Sequence, residues 1–395
     1  MPRIMYLLLF LPVYIISCNN SNSNKAKTGN TITAADSIRL DTAFIKPWYK
    51  RYTGTVAGQG VVVNLYQTAR HEFRGTYSCN SKGILMELNS MNDSCRGNNL
   101  FLYETAPTER TDNNDYQDNP HWAVTISGDK ITGRWISKDG GKTYPIELKE
   151  DYSGNALTFD VLTKGDTQKI KHGAAEVTNA ISYLWSEPGA QTNKTDAAYA
   201  LSVIKQKMGT NDLSLTISDL AAKSIKASFA EFKAGIGTAE EIGENDAYMF
   251  SQESNDKVWV NYNQNGFVVF EFFGYQYMGG AHGIYGSTFL CVDVQTKKVW
   301  NLKDIMHADT IKLMKIIEDE AHRIFNIPKD SALSNGLLVD TIPVTTNCYF
   351  THTGITFNYV PYEIASFADG EVKFFIPFNR IMDMLTAEFK KRMKL

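Results

Sequence analysis

His282 sits where chemistry is easiest to imagine. It lies in Gly279-Gly280-Ala281-His282-Gly283, a glycine-bracketed turn between two apolar runs. A histidine held there can act as general acid or base if a partner comes within hydrogen-bond reach. Glu363, Asp293 and His352 are the candidate partners. The bracketing glycines also explain the turn by backbone geometry alone, with His282 bonding nearby carbonyls. Both readings stay open. A Ser-His-Asp site lacks its Gly-x-Ser-x-Gly elbow, and no P-loop, dinucleotide fingerprint or EF-hand loop occurs. No Cys-x-x-Cys or His/Cys cluster marks a zinc site, so neither metal nor cofactor is expected.

The chain has five cysteines, and Cys18 stands apart from the rest. Arg3 precedes an apolar run from Ile4 to Ile16, shorter than the roughly 20 residues a membrane span needs. A positive start followed by a short apolar stretch is a secretory signal. Ile15-Ile16-Ser17-Cys18 resembles the lipobox of bacterial lipoproteins. That resemblance implies removal of residues 1–17 and lipid on Cys18: a diacylglyceryl thioether and an amide-linked acyl chain of the palmitate class. Two or more chains give stable anchoring where one does not. Asn19 to Asn30 (NNSNSNKAKTGN) has no large apolar residue to bury. Residues 18–46 therefore read as a flexible tether.

An exported body meets an oxidising compartment. A Cys79–Cys95 bridge would close a loop of about 15 residues and stabilise by roughly 3 kcal/mol. Cys291 lies in the apolar strand Phe289-Leu290-Cys291-Val292 and reads as a buried thiol. It meets Cys348 only if their strands are neighbours.

The 395 residues carry a net charge of −3, and no dense basic block outside the final helix suggests nucleic-acid binding. Residues 47–165 read as short strands between turns, an all-β barrel or sandwich. Phe73-Arg74-Gly75-Thr76-Tyr77 and Ile131-Thr132-Gly133-Arg134-Trp135 share an apolar-x-Gly-x-aromatic pattern, and Thr53-Gly54-Thr55-Val56 is a looser copy. Residues 166–395 mix helices and strands without a βαβ repeat. This predicts an α+β domain with helices on one face of a mostly antiparallel sheet. Helices are expected from Thr195, from Ser218, over Asp309–Phe325 and from Asn379. Strands are expected over Val258–Tyr262, Phe267–Phe273, Ser287–Val294, Ile355–Tyr359 and Val372–Ile376.

Three segments together carry a family resemblance: the Gly279–Gly283 turn; Asp293, Leu302 and Asp304 around Gln295-Thr296-Lys297; and Tyr362–Gly370 with Ile376-Pro377-Phe378. They resemble a family of unknown function found in the ectodomain of the lysozyme-sensing anti-sigma factor RsiV and beside the catalytic domain of PdaC-type peptidoglycan deacetylases. The second segment lacks the usual glycine. The resemblance implies an α+β fold and an extracytoplasmic location, with Gly279, Gly280, His282 and Tyr362 as binding residues. It does not imply catalysis.

Aromatic residues make up 12% of the chain. Trp48, Tyr49, Tyr52, Tyr66, Tyr77, Trp122 and Trp135 suit either a binding surface or a barrel core. Two functions follow. One is a non-catalytic, monomeric envelope lipoprotein that binds a cell-surface protein or glycan related to lysozyme or peptidoglycan. The other is a hydrolase of cell-wall carbohydrate using His282 and Glu363. The absence of an acidic residue after Cys18, or of an acidic run in the tether, points to the periplasmic face of the outer membrane of a Bacteroidetes-like bacterium.

Overall fold

The computed structural model describes residues 45–90, 95–107, 119–307 and 309–395. The signal segment, Cys18, the tether up to residue 44 and the acidic stretch Glu109–Asp118 lie outside the described residues.

Eight strands form an antiparallel barrel: β1 (Trp48–Val56), β2 (Gln59–Ala69), β3 (Glu72–Cys79), β4 (Met86–Ser90), β5 (Asn99–Thr105), β6 (His121–Ser127), β7 (Lys130–Ile136) and β8 (Thr143–Glu150). Each pairs with the next, and β8 returns to β1 from Tyr52 opposite Glu150 to Val56 opposite Ile146. Val61, Val63 and Leu65 of β2 point inward at the two-residue period of a strand and meet Leu88 and Trp122. The repeated glycines permit closure. A Cβ on Gly54 would overlap the Glu147 carbonyl, and one on Gly133 the Ala123 carbonyl. Backbones can approach this closely only where the side chain is missing. Of the seven aromatics, Tyr49, Tyr52, Tyr66, Tyr77 and Trp122 are buried, so they fill cores.

Two strands lead out of the barrel. β9 (Phe159–His172) touches β1 at Trp48 and forms a long hairpin with β10 (Ala175–Pro188). The composition change near residue 165 falls inside β9. Helices α1 (Lys194–Lys207), α2 (Ile217–Gly237) and the single turn α3 (Ala247–Phe250) then carry the chain to β11 (Gln252–Gln264), which lies parallel to β10. β12 (Phe267–Tyr277), β13 (Ile284–Asp293) and β14 (Lys298–Trp300) complete the sheet in antiparallel order. After one turn, α4 (Leu302–Ile305), comes α5 (Thr310–Ile324). A three-stranded sheet follows, β15 (Cys348–Phe350), β16 (Gly354–Tyr359) and β17 (Val372–Pro377), then α6 (Ala387–Met393).

The mixed α+β character is as expected: α1 packs on one face of the large sheet, and the three-stranded sheet packs on the other through Phe350 against Phe267 and Tyr349 against Phe289. The β12–β13 stretch is apolar on both sides. Val268, Phe270 and Val292 pack with Ala200 and Ile204 of α1. Val269, Phe289 and Cys291 pack with the small sheet and with Leu313, Ile317, Ala321 and Ile324 of α5. Each large aliphatic side chain so buried contributes roughly 1.5–3 kcal/mol.

Helix starts shift by a few residues where side chains cap better. α2 begins after Thr216, whose hydroxyl accepts from the Asp219 N–H while Asp219 accepts in return, a capping box. α1 starts after Asn193 rather than Thr195. The last helix is much shorter than expected. Leu385 bridges to Met306 and the Thr386 N–H donates to the Ile305 carbonyl, so the chain is extended there. Thr386 then caps α6.

The Cys79–Cys95 bridge is not formed, and no disulfide joins any two of the described cysteines. Between Cys79 and Cys95 in the chain lies β4, which pairs with β3. Cys79 ends β3, whereas the Cys95 carbonyl lies 2.6 Å from His71 Nδ1, just ahead of that strand's start. The two residues therefore flank opposite ends of an eight-residue strand. A bridge needs Cα atoms within about 7 Å. No helix among the described residues is long and apolar enough to cross a membrane.

Candidate functional site

The barrel is locked to the large sheet through a bulge. Register shifts between Val260 and Tyr262 on β11, leaving the carbonyl of Asn261 out of the ladder. That oxygen accepts from Asn64 Nδ2 at 3.0 Å and Thr76 Oγ1 at 2.6 Å, both barrel residues. Arg51 Nε donates to the Asn263 carbonyl at 2.7 Å. Beside this seam a cleft of about 700 Å³ opens between β3–β5, β11–β13 and the start of β17. Ligand sites commonly span roughly 300–1,000 Å³.

The floor of the cleft is ionic. Glu271, 2% exposed on β12, accepts from Arg74 Nη2 at 2.8 Å, Asn261 Nδ2 at 2.8 Å and Ser287 Oγ at 2.7 Å. Burial alone would raise its pKa; Arg74 and Lys373 outweigh that and hold it below the ordinary carboxylate value. Lys373, on β17, pairs with Glu87 of β4 at 2.7 Å. Its own burial opposes the charge, yet Glu87 and Glu371 raise its pKa. The charge of Lys373 in turn lowers Glu87. Glu371 behaves differently. It accepts from the Ser287 N–H and lies 3.9 Å from Lys373, but burial dominates and raises its pKa. The Arg74 guanidinium also stands 4.6 Å from the centre of the Trp259 ring, a cation–π contact.

The Gly279–Gly283 turn forms the adjoining rim. Gly279 has φ +88°, and a Cβ there would overlap the Met249 carbonyl. His282 is exposed. Its Nδ1 lies 2.8 Å from the Gly283 carbonyl, which can only accept, so Nδ1 carries the proton. The Tyr362 hydroxyl reaches Nε2 at 3.3 Å, and the ring stacks on Phe367 with centroids 4.3 Å apart. Phe367 lines the cleft as well. The structure thus brings His282 and Tyr362 together at the edge of the cleft, with Gly279 and Gly280 shaping the turn. Tyr362 holds φ +70°, a conformation a bulky residue rarely adopts.

The proposed acid–base partners of His282 are engaged elsewhere. Glu363 accepts from the Val360 N–H at 3.0 Å. Asp293 is fully buried and paired with Arg392 at 2.7 Å. His352 Nε2 bonds the Asn80 carbonyl at 2.8 Å. Among the described residues no group of three or more His, Cys, Asp or Glu could hold a metal ion.

Sequence reasoning missed the ionic floor, although a signal was present. Glu271 interrupts Val268-Val269-Phe270-Glu271-Phe272-Phe273, and a carboxylate inside an apolar strand requires a cation. Arg74 sat unremarked in the glycine pattern of β3, and Lys373 in Val372-Lys373-Phe374.

A member of the DUF3298 family from Bacteroides fragilis, solved as a crystal structure, is 20% identical. It matches over 61% of this chain and 99% of its own, with a TM-score of 0.50. A DUF3298 family protein from Pseudomonas aeruginosa is 16% identical over 60% of this chain and 98% of its own, with a TM-score of 0.41. No curated protein matches. Residues 303–379 match the model of DUF3298, a family described as of unknown function. That span includes the Tyr362–Gly370 loop and Lys373, while the Gly279–Gly283 turn lies before it. The C-terminal part of this chain carries a DUF3298 domain.

Proposed function

We propose that this protein is an envelope lipoprotein, anchored through lipid on Cys18, which captures a cell-surface protein or glycan without transforming it. The observation that carries this reading is the open cleft, whose floor is a hydrogen-bonded ion network walled by aromatic rings. Charged and hydrogen-bonding groups at the floor with aromatic flanks suit recognition. His282 contributes a stacked ring at the rim rather than a base, since its ring nitrogens meet a carbonyl and a phenol. Glu363 is held by the Val360 N–H through Oε2, while the His282 ring meets Tyr362 and Phe367 instead.

The test uses the full chain in detergent, mixed with insoluble peptidoglycan or passed over immobilised lysozyme. Retention that Phe367→Ala weakens supports capture in the cleft. Absence of retention on both, or turnover of peptidoglycan abolished by His282→Ala, overturns it. The anchor is tested separately. Cys18→Ala should abolish incorporation of labelled palmitate and release the chain from the membrane fraction.

A further inference from the structure

The floor of the cleft is not balanced in charge. Glu87, Glu271 and Glu371 face two cations there, Arg74 and Lys373. Arg74 is committed to Glu271 at 2.8 Å and Lys373 to Glu87 at 2.7 Å. Glu371 is left with Lys373 at 3.9 Å and the Ser287 N–H. Across the whole lining, five carboxylates stand against three cations. A surplus carboxylate beside aromatic walls attracts a positive group, through Coulomb attraction and through the ring faces.

A second observation, independent of charge, also points to a ligand. Trp259 is 3% exposed and lines the cleft, yet its indole N–H has no acceptor among the described residues. Buried donors are rarely left this way because the lost hydration is not replaced. Trp259 is the register partner of Glu271, so its ring lies on the strand face that carries the ion network. Thr105 Oγ1, in the opposite wall, is likewise buried and without a partner. The site therefore lacks a cation and, beside it, an oxygen that accepts a hydrogen bond.

Depth decides how that cation is carried. The Glu371 side chain is 11% exposed and that of Glu271 3%. An ammonium fixed on a sugar would bring the full width of its ring to the floor. An ammonium or guanidinium at the end of an aliphatic stem reaches it with the stem lying along Phe73, Tyr285 and Phe367. We infer that the cleft takes a lysine or arginine side chain of a protein partner, with the cation on Glu371 and a peptide carbonyl on the Trp259 N–H. This rests on the reading of the cleft as a capture site and names the class of ligand.

The full chain in detergent is titrated with acetyl-Gly-Lys-Gly-amide and with the same peptide acetylated on the lysine nitrogen. Glucosamine and N-acetylglucosamine oligomers are titrated in parallel. The free-lysine peptide should bind, and acetylation should weaken it by roughly tenfold or more. Glu371→Gln should impose a similar loss without lowering the melting temperature, and Trp259→Phe a smaller one. Equal binding of the two peptides, unchanged binding by Glu371→Gln, or no peptide binding up to about 10 mM overturns the inference. Sugar oligomers that bind where the peptides do not would overturn the basic side chain and leave capture in the cleft standing. Failure of every probe, together with no retention on lysozyme or peptidoglycan, sinks both.

Discussion

Arg74 Nη2 and Glu271 Oε2 lie 2.8 Å apart although 197 positions separate them in the chain. One belongs to the barrel and the other to the large sheet, so their contact exists only when both are folded and docked. Removing one partner of such a buried pair typically costs roughly 3–5 kcal/mol, because the other charge stays buried. Arg74→Ala, which leaves the buried Glu271 without this partner, is expected to fall in that range. Arg74→Met combined with Glu271→Leu is expected to cost less than the sum of the two single changes. Denaturant unfolding of the four proteins measures the coupling; strictly additive losses would show that the two side chains act independently.

Acid should weaken the protein through some carboxylates and spare it through another. Glu87 and Glu271 titrate below their ordinary value when folded. The stability they bring is complete above the unfolded value of about 4.3 and is lost as pH falls through their depressed values. Glu371 is raised by burial, so its ionisation costs stability at neutral pH; that cost shrinks as pH falls through the raised value and is gone below the unfolded value of about 4.3. Glu371→Gln is therefore expected to be at least as stable as the parent at pH 7, the difference shrinking towards pH 4. Urea midpoints at the two pH values decide it. A Gln variant clearly weaker at pH 7 would contradict the assignment.

The two glycines of the rim should respond unequally. Gly279 and Gly280 both hold positive φ, but only Gly279 faces an obstruction, the Met249 carbonyl. Gly280→Ala is expected to cost about 1 kcal/mol from backbone strain. Gly279→Ala adds a steric clash and should cost roughly 2–3 kcal/mol. Thermal melts compare them. Equal shifts in melting temperature would mean that backbone strain alone sets the requirement.

The cysteines give a chemical check on strand order. In denaturant without reductant, Cys79, Cys95, Cys291 and Cys348 are all expected to react with a thiol reagent. A Cys79–Cys95 linked peptide in a non-reducing digest would be incompatible with β3 and β4 as paired here.

Much of this fold was legible because short-range physics specifies it. α5 shows its buried stripe at Leu313, Ile317, Ala321 and Ile324 in the sequence, and Asp309 caps it where a helix start was expected. The strands around Phe270 and Phe357 were readable from apolar runs. The barrel was readable only as all-β, since its closure depends on β1 meeting β8, a pairing that leaves no local mark. β12 and β13 are apolar on both sides, a pattern that does not say that α1 covers one face and the three-stranded sheet the other. The ends of the last helix were lost because a tertiary bridge, Met306 to Leu385, overrides helical propensity. At the site, the turn around His282 stood out by its glycines, but its contact with Tyr362, 80 positions on, did not. The ionic floor did not, because Arg74 and Glu87 lie on the neighbouring strands β3 and β4 while Glu271 and Lys373 come from β12 and β17, far along the chain, and the four mean nothing until they meet.

β1 has a mechanical consequence. It is zipped to β2 along all nine of its residues and to β8 along five, and the described chain enters it almost directly from Ile45. Its entry end is level with the cleft: Trp48 pairs with Gln67, and Gln67 with Phe73 of the cleft lining. A pull on that end, resisted by something gripped in the cleft, therefore crosses only the ladders that join β1 to β3. Rupture under force is governed by the unfolding barrier rather than by equilibrium stability. The strand next to the entry point is thus the first to carry a tugging load.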